Sequence, residues 1–309
     1  MGQSVPNSDS GAAELIRLGR QAQDLVQAAL DPRTRKCYER TWRQFNDFCK
    51  TFKIKSSLPV GQSVLLLYIS YLFDKNYASS TICSAISALV YFHFEKGLPD
   101  PRTKQVYQAL AGVKNKRPSV SSWQPLSLEN VNILIRNAQG AFSSSFTVHL
   151  FKAMACLAFY ALLRVGEFTY SQHSIRRADI SIHKSYVEIR FQSFKHSGGI
   201  GVTQSVSAIH QKDVCPVHLL AKYLSVSGHK NGLLFVKEDG MAPSRKEFLD
   251  WLKTVMVFCG LDDSRFNTHS FRAGMATHMA LNGFSAEQIK LAGRWSSDAY
   301  RKYIRVVKV

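Results

Sequence analysis

Residues 146–163 are almost continuously apolar, and this stretch, FTVHLFKAMACLAFYALL, is the strongest constraint on how the chain can fold. A helix that is apolar on every side is stable only when other elements surround it, so we expect it at the centre of a core. Arg164 follows the last apolar residue directly. The sequence therefore predicts a buried scaffold that ends in a charged side chain at the edge of a pocket.

Helical patterns fill the first third of the chain. Asp31 and Pro32 have the residue types of an N-cap and a first helical position, and apolar residues recur at three and four residues after them. The aromatic residues Tyr38, Trp42 and Phe45 share this spacing, which is typical of core residues. We predict an all-helical first domain, with helices at 12–30, from 32 onward, and at 61–75, 79–96 and 102–113.

A chain of 309 residues usually contains two domains, since single hydrophobic cores stop growing near this size. Residues 1–11 are polar and have no periodicity, so we predict a mobile tail. Residues 12–113 form the predicted helical domain. Segment 114–122 is basic and then rich in Pro and Ser, which is typical of an interdomain linker, and residues 123–309 form the second domain.

The second domain combines helices with a small sheet. A helix is predicted to start at 126–129, and alternating apolar and polar residues at 186–191 and 202–206 predict two strands. The segment between the strands contains Lys195 and several glycines, which predicts a β-hairpin with a mobile tip. These glycines do not match a dinucleotide or phosphate-loop fingerprint, because no helix opens after them. Helices dominate again from Val217, so the fold class is mainly α, with a small β-sheet in an α+β second domain.

The net charge of the chain indicates the class of its partner. The formal charge is +18 and the sequence pI is near 9.7. Lys and Arg outnumber Asp and Glu in both halves, which indicates a polyanion such as DNA, RNA or an acidic membrane, although many basic proteins bind none of these. The residues predicted to contact DNA phosphates lie on the second helix and in the linker: Arg33, Arg35, Lys36, Arg40, Arg43, Lys114, Lys116 and Arg117. A solvated basic face is the alternative interpretation.

The six cysteines contain no CxxC pair and fall mostly in apolar helical patterns, so we interpret them as buried thiols in a reducing compartment. Cys215 and His218 lack a second ligand pair at zinc-site spacing, and we predict no structural zinc. No apolar run is long enough to span a bilayer, and the N-terminus lacks the apolar centre of a signal peptide. These features predict a soluble intracellular protein.

Cationic side chains and tyrosines stand in a fixed order near the C-terminus, in segments 268–272, 292–295 and 303–305. His269 and Arg272 are three residues apart, so on a helix they share one face and can converge on one anion. A phosphodiester gains charge on its nonbridging oxygens during displacement, and a catalyst therefore needs several fixed cationic donors around it. The pattern suggests phosphoryl chemistry with a tyrosine hydroxyl as the attacking group.

The order and spacing of these motifs resemble the tyrosine recombinases, also called the phage-integrase family. Within that family, segment 293–299 before Tyr-Ile-Arg is most similar to eukaryotic retroelement recombinases of the DIRS and Ngaro type. The residues that match the family's boxes are Arg164 and Glu167 (Arg-x-x-Glu), His269 and Arg272 (His-x-x-Arg), and Trp295 and Tyr303 (the last box).

The resemblance implies a nucleophile and a general acid. Tyr303 would attack the scissile phosphorus, form a 3′-phosphotyrosyl bond and release a 5′-hydroxyl. Tyr300 competes for this role, but Tyr303 has the Tyr-Ile-Arg context and the family's usual separation from the tryptophan. Lys195 would protonate the leaving 5′ oxygen, because the family keeps its lysine on this hairpin, and Lys184 and Lys212 are alternatives.

The resemblance also implies roles for the remaining matched residues. Arg164 and Arg272 would each bind phosphate oxygens as a fixed fork. His269 would donate to the same oxygens or take the tyrosine proton, and the sequence leaves both roles open. Trp295 would donate its indole N–H to a phosphate oxygen, and Glu167 would orient an arginine or the histidine.

At the level of the whole chain, the resemblance implies a helical core-binding domain of SAM-like fold that clamps double-stranded DNA, followed by a catalytic domain. It implies no metal or nucleotide cofactor, a homotetramer in the synaptic complex, a monomer without DNA, and a nuclear location if the host is eukaryotic. The expected activity is DNA strand exchange or integration for a mobile element. Two alternatives stay open: DNA relaxation like that of type IB topoisomerases, and a domesticated DNA-binding protein without turnover.

Overall fold

The computed structural model describes residues 8–118, 123–192 and 201–304, and the chain divides into two compact units, Met1–Ser121 and Ser122–Val309. The fold is mainly α-helical with one small antiparallel sheet, which confirms the predicted fold class. Among the described residues, no helix is both long enough and apolar enough to cross a bilayer.

Unit 1 is helical wherever the structure shows regular secondary structure. The second helix begins as predicted: Pro32 is its first residue, and the Asp31 carboxylate accepts a hydrogen bond of 2.9 Å from the Arg33 backbone N–H. This contact satisfies a backbone donor that a helix start leaves unpaired. The helices are α1 (Ser8–Ala28), α2 (Pro32–Thr51), α3 (Gln62–Asp74), α4 (Ser79–Glu95) and α5 (Lys104–Lys116).

The aromatic face of α2 forms part of the unit 1 core. Phe45 is fully buried, as expected for its spacing. Trp42 and Tyr38 are only half-buried, and their rings lie 5.0 Å from Phe92 and 5.4 Å from Tyr91, between centroids. Aromatic packing between α2 and α4 therefore closes this edge of the bundle.

Two segment boundaries differ from the sequence prediction. Helix α1 begins at Ser8, inside the predicted tail 1–11, because Ser and Asp are common in the first turn of a helix and polarity alone does not exclude one. Helix α5 continues to Lys116, so Lys114 and Lys116 lie on its last turn rather than in a linker. Cationic side chains are favourable at that end of a helix. Residues 119–122 of the predicted linker lie outside the described residues.

Three of the cysteines are buried as predicted, namely Cys49, Cys156 and Cys215. Cys37 is exposed instead, because it lies on the polar side of α2, and Cys83 and Cys259 are half-buried. Cys215 precedes Pro216, the first residue of the ninth helix, as expected for a helix start.

Unit 2 is built around the apolar stretch identified from the sequence. Its helix, Ser145–Tyr160, packs most extensively against the helices Pro216–Ser227 and Leu128–Ala141, and the side chains from Ala153 to Phe159 are all buried. The helices are α6 (Leu128–Ala141), α7 (Ser145–Tyr160), α8 (Val165–Phe168), α9 (Pro216–Ser227), α10 (Arg245–Phe258), α11 (Ser270–Leu281) and α12 (Ala286–Gly293). Short 3-10 helices lie at Arg177–Asp179, Lys212–Val214, Asp263–Arg265 and Asp298–Lys302.

The sheet has the strand order β1 (Ile180–Ile182), β2 (Tyr186–Phe191), β3 (Val202–Ser207), all antiparallel. Strands β2 and β3 are the two predicted strands, and their register pairs Phe191 with Val202 at the tip end. Strand β1 was not predicted, because three residues are too few to show alternation. Residues 193–200 of the hairpin tip, including Lys195, lie outside the described residues.

Candidate active site

The segment after α7 carries the first arginine of the candidate site. The predicted helix 146–163 ends at Tyr160, and the chain leaves it through a Schellman motif in which Leu162 has a φ of +46°. The Leu163 N–H donates to the Ala158 carbonyl at 3.0 Å, which satisfies a carbonyl of the last turn. Arg164 then becomes the N-cap of α8 and lies half-buried, close to where the sequence placed it.

Glu167 binds Arg164 twice. Its Oε2 accepts a hydrogen bond of 2.8 Å from the Arg164 backbone N–H, and its Oε1 accepts one of 3.1 Å from Arg164 Nη1. The Glu167 carboxylate is buried, with 2% of the side chain exposed. A buried carboxylate with these partners holds the neighbouring guanidinium in one orientation.

The second arginine is held by the start of α11. His269 is the N-cap, and Arg272 lies on the first turn with only 1% of its surface exposed. Arg272 donates from Nη1 to the Leu162 carbonyl and from Nη2 to the Gly293 carbonyl. Its Nε is buried and has no acceptor among the described residues. Helix α11 thus presents a fixed, incompletely satisfied cation.

The electrostatic environment of Arg272 favours an anion. Burial, together with the nearby guanidiniums of Arg164 and Arg294, lowers its pKa to about 9. The group is still charged at neutral pH, but the protonated form is less stable than in water. An anion bound beside it would offset both the lost hydration and the repulsion between the arginines.

Trp295 and Tyr303 pack against this cation. The Arg272 guanidinium carbon lies 4.0 Å from the centre of the Trp295 ring and 5.6 Å from that of Tyr303. The Trp295 and Tyr303 ring centres are 5.2 Å apart, and the His269 ring centre lies 6.5 Å from that of Tyr303. Tyr303 is half-buried, follows the 3-10 helix 298–302, and accepts a hydrogen bond at its carbonyl from Thr277 Oγ1 at 3.2 Å.

The two tyrosines of this segment have different environments. Tyr300 is 5% exposed and packs in an apolar cluster with Ala276, Met279 and Ile289. Tyr303 lies at the edge of that cluster, against the arginine and the histidine. Tyr300 also has a cation nearby, since Lys290 Nζ lies 5.5 Å from the centre of its ring. Tyr303 differs in lying beside the buried Arg272 guanidinium and the His269 ring.

The surroundings of His269 disfavour its protonated form. Burial lowers its pKa below the usual 6.5, and the positive charges of Arg245 and Arg272 lower it further. Its ring centre lies 6.5 Å from that of Trp123, and its backbone N–H donates to Asn267 Oδ1 at 2.7 Å. A neutral imidazole has one nitrogen that can accept a proton.

Arg294 is a third arginine that the sequence did not single out. Its side chain is 1% exposed, and its Nη2 donates to Glu167 Oε2 at 2.7 Å. The only sequence signal was its place between Gly293 and Trp295, which does not indicate where the Arg294 side chain points. Glu167 pairs with Arg164 and Arg294, whereas the neighbouring Arg272 donates to backbone carbonyls. Among the described residues the three guanidiniums therefore have one paired carboxylate between them, and this excess of positive charge suits a phosphate.

The remaining predicted residues of unit 2 are either exposed or outside the described residues. Lys195 and Arg305 are not among the described residues, while Lys184 and Lys212 are exposed. Within the described part of the chain, no three His, Cys, Asp or Glu side chains are grouped so that they could hold a metal ion.

The predicted DNA-contacting residues of unit 1 are mostly exposed. Arg33, Lys36, Arg40 and Arg43 are exposed on α2, Arg35 is half-buried, and Lys114 and Lys116 are exposed on α5. Arg117 differs, because its guanidinium lies 3.9 Å from the centre of the Phe73 ring and so packs on its own unit.

Comparison with known proteins identifies relatives over most of the chain. A model of the phage integrase family matches residues 126–308. An integrase/recombinase xerD homolog from Selenomonas ruminantium is 22% identical over 295 residues, covering 91% of this chain and 84% of that protein.

Solved structures share the fold. The integrase of transposon Tn1549 in complex with transposon right end DNA has a TM-score of 0.65 at 12% identity, covering 90% of this chain and 91% of that one. A lambda integrase tetramer bound to a Holliday junction has a TM-score of 0.59 at 14% identity, covering 93% of this chain and 76% of that one.

Proposed function

The chain belongs to the phage integrase family, and we propose that it breaks and rejoins double-stranded DNA through a 3′-phosphotyrosyl intermediate on Tyr303. The observation that carries the proposal is the position of Arg272. Its buried guanidinium contacts the Trp295 and Tyr303 rings and has a free Nε donor among the described residues. A phosphate bound there would lie beside a phenol that can attack it.

The proposed cleavage step gives each side chain of the site one role. Arg164 and Arg272 bind the nonbridging oxygens and stabilise the charge that develops on them. The Tyr303 hydroxyl oxygen bonds to phosphorus, the bond from phosphorus to the 5′ oxygen breaks, and neutral His269 accepts the phenolic proton. Lys195 donates a proton to the leaving 5′ oxygen.

Rejoining is the reverse reaction with another strand. A 5′-hydroxyl attacks the phosphotyrosyl phosphorus, Tyr303 leaves as its phenol, and a new phosphodiester forms. Because the covalent intermediate keeps the bond energy, no nucleotide cofactor is needed. Four copies acting on two DNA sites would exchange strands, an arrangement supported by the lambda integrase tetramer on a Holliday junction.

The biological setting we propose is the integration or excision of a mobile element. Segment 293–299 supports a role like that of DIRS and Ngaro retroelement recombinases, and a eukaryotic host would place the reaction in the nucleus. The two domains that we propose, a helical DNA clamp and a catalytic domain, correspond in sequence to residues 12–113 and 123–309.

A suicide substrate tests the proposed chemistry. The probe is a pool of duplexes that have randomised bases around a single nick. When the protein cleaves near the nick, the short fragment diffuses away, so the strand cannot be rejoined and the protein stays attached to DNA. We expect a covalent adduct on denaturing gels for the wild type and for Tyr300→Phe, and none for Tyr303→Phe. Both substitutions remove one hydroxyl, so each serves as the control for the other.

Two other results would contradict the proposal. An adduct that survives Tyr303→Phe would assign the nucleophile elsewhere. DNA binding by the wild type without any adduct would indicate a silent DNA-binding protein. Relaxation of a supercoiled plasmid without strand exchange would instead support the topoisomerase-like alternative.

A further inference from the structure

Arg294 connects three segments of unit 2 through its buried guanidinium. Its Nη1 donates to the Gln204 side-chain oxygen on β3 and to the Ala161 carbonyl at 3.2 Å, while Nη2 donates to Glu167 at 2.7 Å. The guanidinium carbon also lies 3.8 Å from the centre of the Phe191 ring on β2. The end of α12 is thereby joined to the β2–β3 hairpin and to the segment that carries Arg164.

The backbone of Arg294 has a conformation that glycine normally adopts. Helix α12 ends in a Schellman motif, with the Trp295 N–H donating to the Lys290 carbonyl at 2.9 Å, and Arg294 has φ +54° and ψ +47°. A side chain with a Cβ is disfavoured there. Strained residues concentrate where the side chain has a task, so the contacts of the guanidinium need an explanation.

Hydrogen bonds link Arg294 to Arg164 by two routes. The first runs through Glu167, whose Oε2 accepts from both Arg294 Nη2 and the Arg164 backbone N–H. The second is direct, because Arg164 Nη2 donates to the Arg294 carbonyl at 3.3 Å. If the Arg294 side chain is lost, the carboxylate that fixes Arg164 has no second cation to hold it.

We infer that Arg294 is a positioning residue that couples the β2–β3 hairpin to Arg164, with Gln204 as the contact on the hairpin. This inference rests on the proposed function for its kinetic part. Gln204 fixes the Arg294 guanidinium, Arg294 fixes the Glu167 carboxylate, and Glu167 fixes Arg164. A displacement of β3 at Gln204 would therefore change the position of Arg164.

Substitutions at Gln204 separate positioning from charge. Gln204→Leu removes the acceptor without changing the net charge, and Gln204→Glu keeps an acceptor oxygen at the same reach. Arg294→Gly removes the guanidinium and allows the left-handed backbone without strain. Ser205→Ala is the matched control, because Ser205 is exposed on β3 and its side chain points to the opposite face of the sheet.

The first measurement does not depend on activity. The Arg164 amide is protected by its hydrogen bond to Glu167, so its hydrogen–deuterium exchange reports on the coupling. We expect exchange at this amide to be faster by on the order of tenfold in Gln204→Leu and Arg294→Gly, and unchanged in Gln204→Glu and Ser205→Ala. Equal protection in all the proteins would overturn the inference even if the chain proved catalytically silent.

The second measurement compares cleavage with binding on the nicked duplex pool. In Gln204→Leu we expect the single-turnover rate of adduct formation to fall on the order of tenfold, while the dissociation constant for DNA changes by less than about twofold. Gln204→Glu should restore the rate. A wild-type rate in Gln204→Leu, or equal losses of rate and binding, would contradict a positioning role. Absence of an adduct in the wild type would count against the proposed function instead.

Discussion

Arg272 and Arg294 donate hydrogen bonds to the same backbone carbonyl, that of Leu162. Leu162 and Arg294 are themselves the left-handed residues of the Schellman motifs that end α7 and α12. The site is therefore assembled from two helix ends and the start of α11. The last turn of a helix leaves backbone carbonyls without an N–H partner in the helix. At the ends of α7 and α12 the buried guanidiniums donate to the carbonyls of Leu162 and Gly293. The geometry of the candidate site and the ends of the two helices therefore depend on the same contacts.

Replacing Arg272 by lysine tests the requirement for a guanidinium. Arg272→Lys keeps the charge but cannot reach both the Leu162 and Gly293 carbonyls, so at least one buried acceptor loses its donor. We expect the free energy of unfolding to drop by about 1–3 kcal/mol, and the adduct-forming rate by about 10²- to 10³-fold. Arg265→Lys is the control, since its side chain is 57% exposed. Comparable rates in the two variants would exclude a phosphate-binding fork at Arg272.

Much of the fold could be predicted from the sequence, because helix periodicity, strand alternation and helix capping depend on residues that are near one another in the chain. The period of apolar residues predicted α2 to α5, and alternation predicted β2 and β3. Asp31 and Pro32 marked the start of α2 because capping depends on neighbouring atoms. The end of α7 was predicted three residues too late. Glycine usually marks a left-handed helix end, and this chain has Leu162 there.

The parts of the site that sequence did not reveal depend on distant contacts. The matching boxes singled out Arg164, Arg272 and Tyr303, and the structure brings these side chains to one place. The buried contacts of Arg294 were missed, because the direction of its side chain is set by Glu167 and Gln204, which are far from it in sequence. No local pattern encodes a contact between a helix end and a strand on another part of the chain.

Glu167→Gln should destabilise unit 2. The substitution leaves the buried Arg294 guanidinium without its counter-charge, and a buried ion pair that loses one partner costs about 3–5 kcal/mol. We expect a loss of that size in chemical denaturation. Glu247→Gln is the matched control, because the Glu247 side chain, which pairs with Lys237, is 41% exposed. Its substitution should therefore lower the free energy of unfolding by about 1 kcal/mol or less. Similar losses would show that the Glu167 pair is effectively solvated.

The free energy of unfolding should fall as the pH drops through the histidine range. The pKa of His269 is lowered in the folded state by burial and by Arg245 and Arg272, so the unfolded chain binds the proton more readily. Stability is then greatest above the ordinary histidine pKa of 6.5 and is lost below it. His269→Gln should reduce the difference in denaturation midpoint between pH 7.5 and pH 5.5.

His149 requires a parallel measurement, because burial and Lys222 also lower its pKa. His149→Gln should remove a separate share of the acid sensitivity while leaving adduct formation at wild-type level. If His269→Gln left the pH dependence of unfolding unchanged, the His269 ring would bind a proton as readily in the folded protein as in the unfolded chain.

Gly293→Ala should impair cleavage by displacing Trp295. A Cβ on Gly293 would overlap the six-membered ring of Trp295, which lies against Arg272. The ring must move, so we expect a fall of about 10- to 100-fold in the adduct-forming rate. Gly112→Ala on α5 is the control, because a Cβ there meets no atom within 4 Å and alanine favours a helix. A wild-type rate in Gly293→Ala would show that the position of Trp295 is not critical.

DNA binding should weaken steeply with salt, because each phosphate contact releases a condensed cation. The logarithm of the association constant should fall linearly with the logarithm of the salt concentration, by about 0.9 for each phosphate contacted. Arg40→Ala and Arg43→Ala, which remove exposed charges from α2, should each lower that slope by about 1 if they contact phosphates. Arg136→Ala is the control, since Arg136 is already paired with Asp213 at 2.6 Å. Fluorescence anisotropy with a labelled duplex measures all three slopes. An affinity that stays flat between low and moderate salt would contradict binding by a basic clamp, and unchanged slopes in the two α2 variants would show that this face is only solvated.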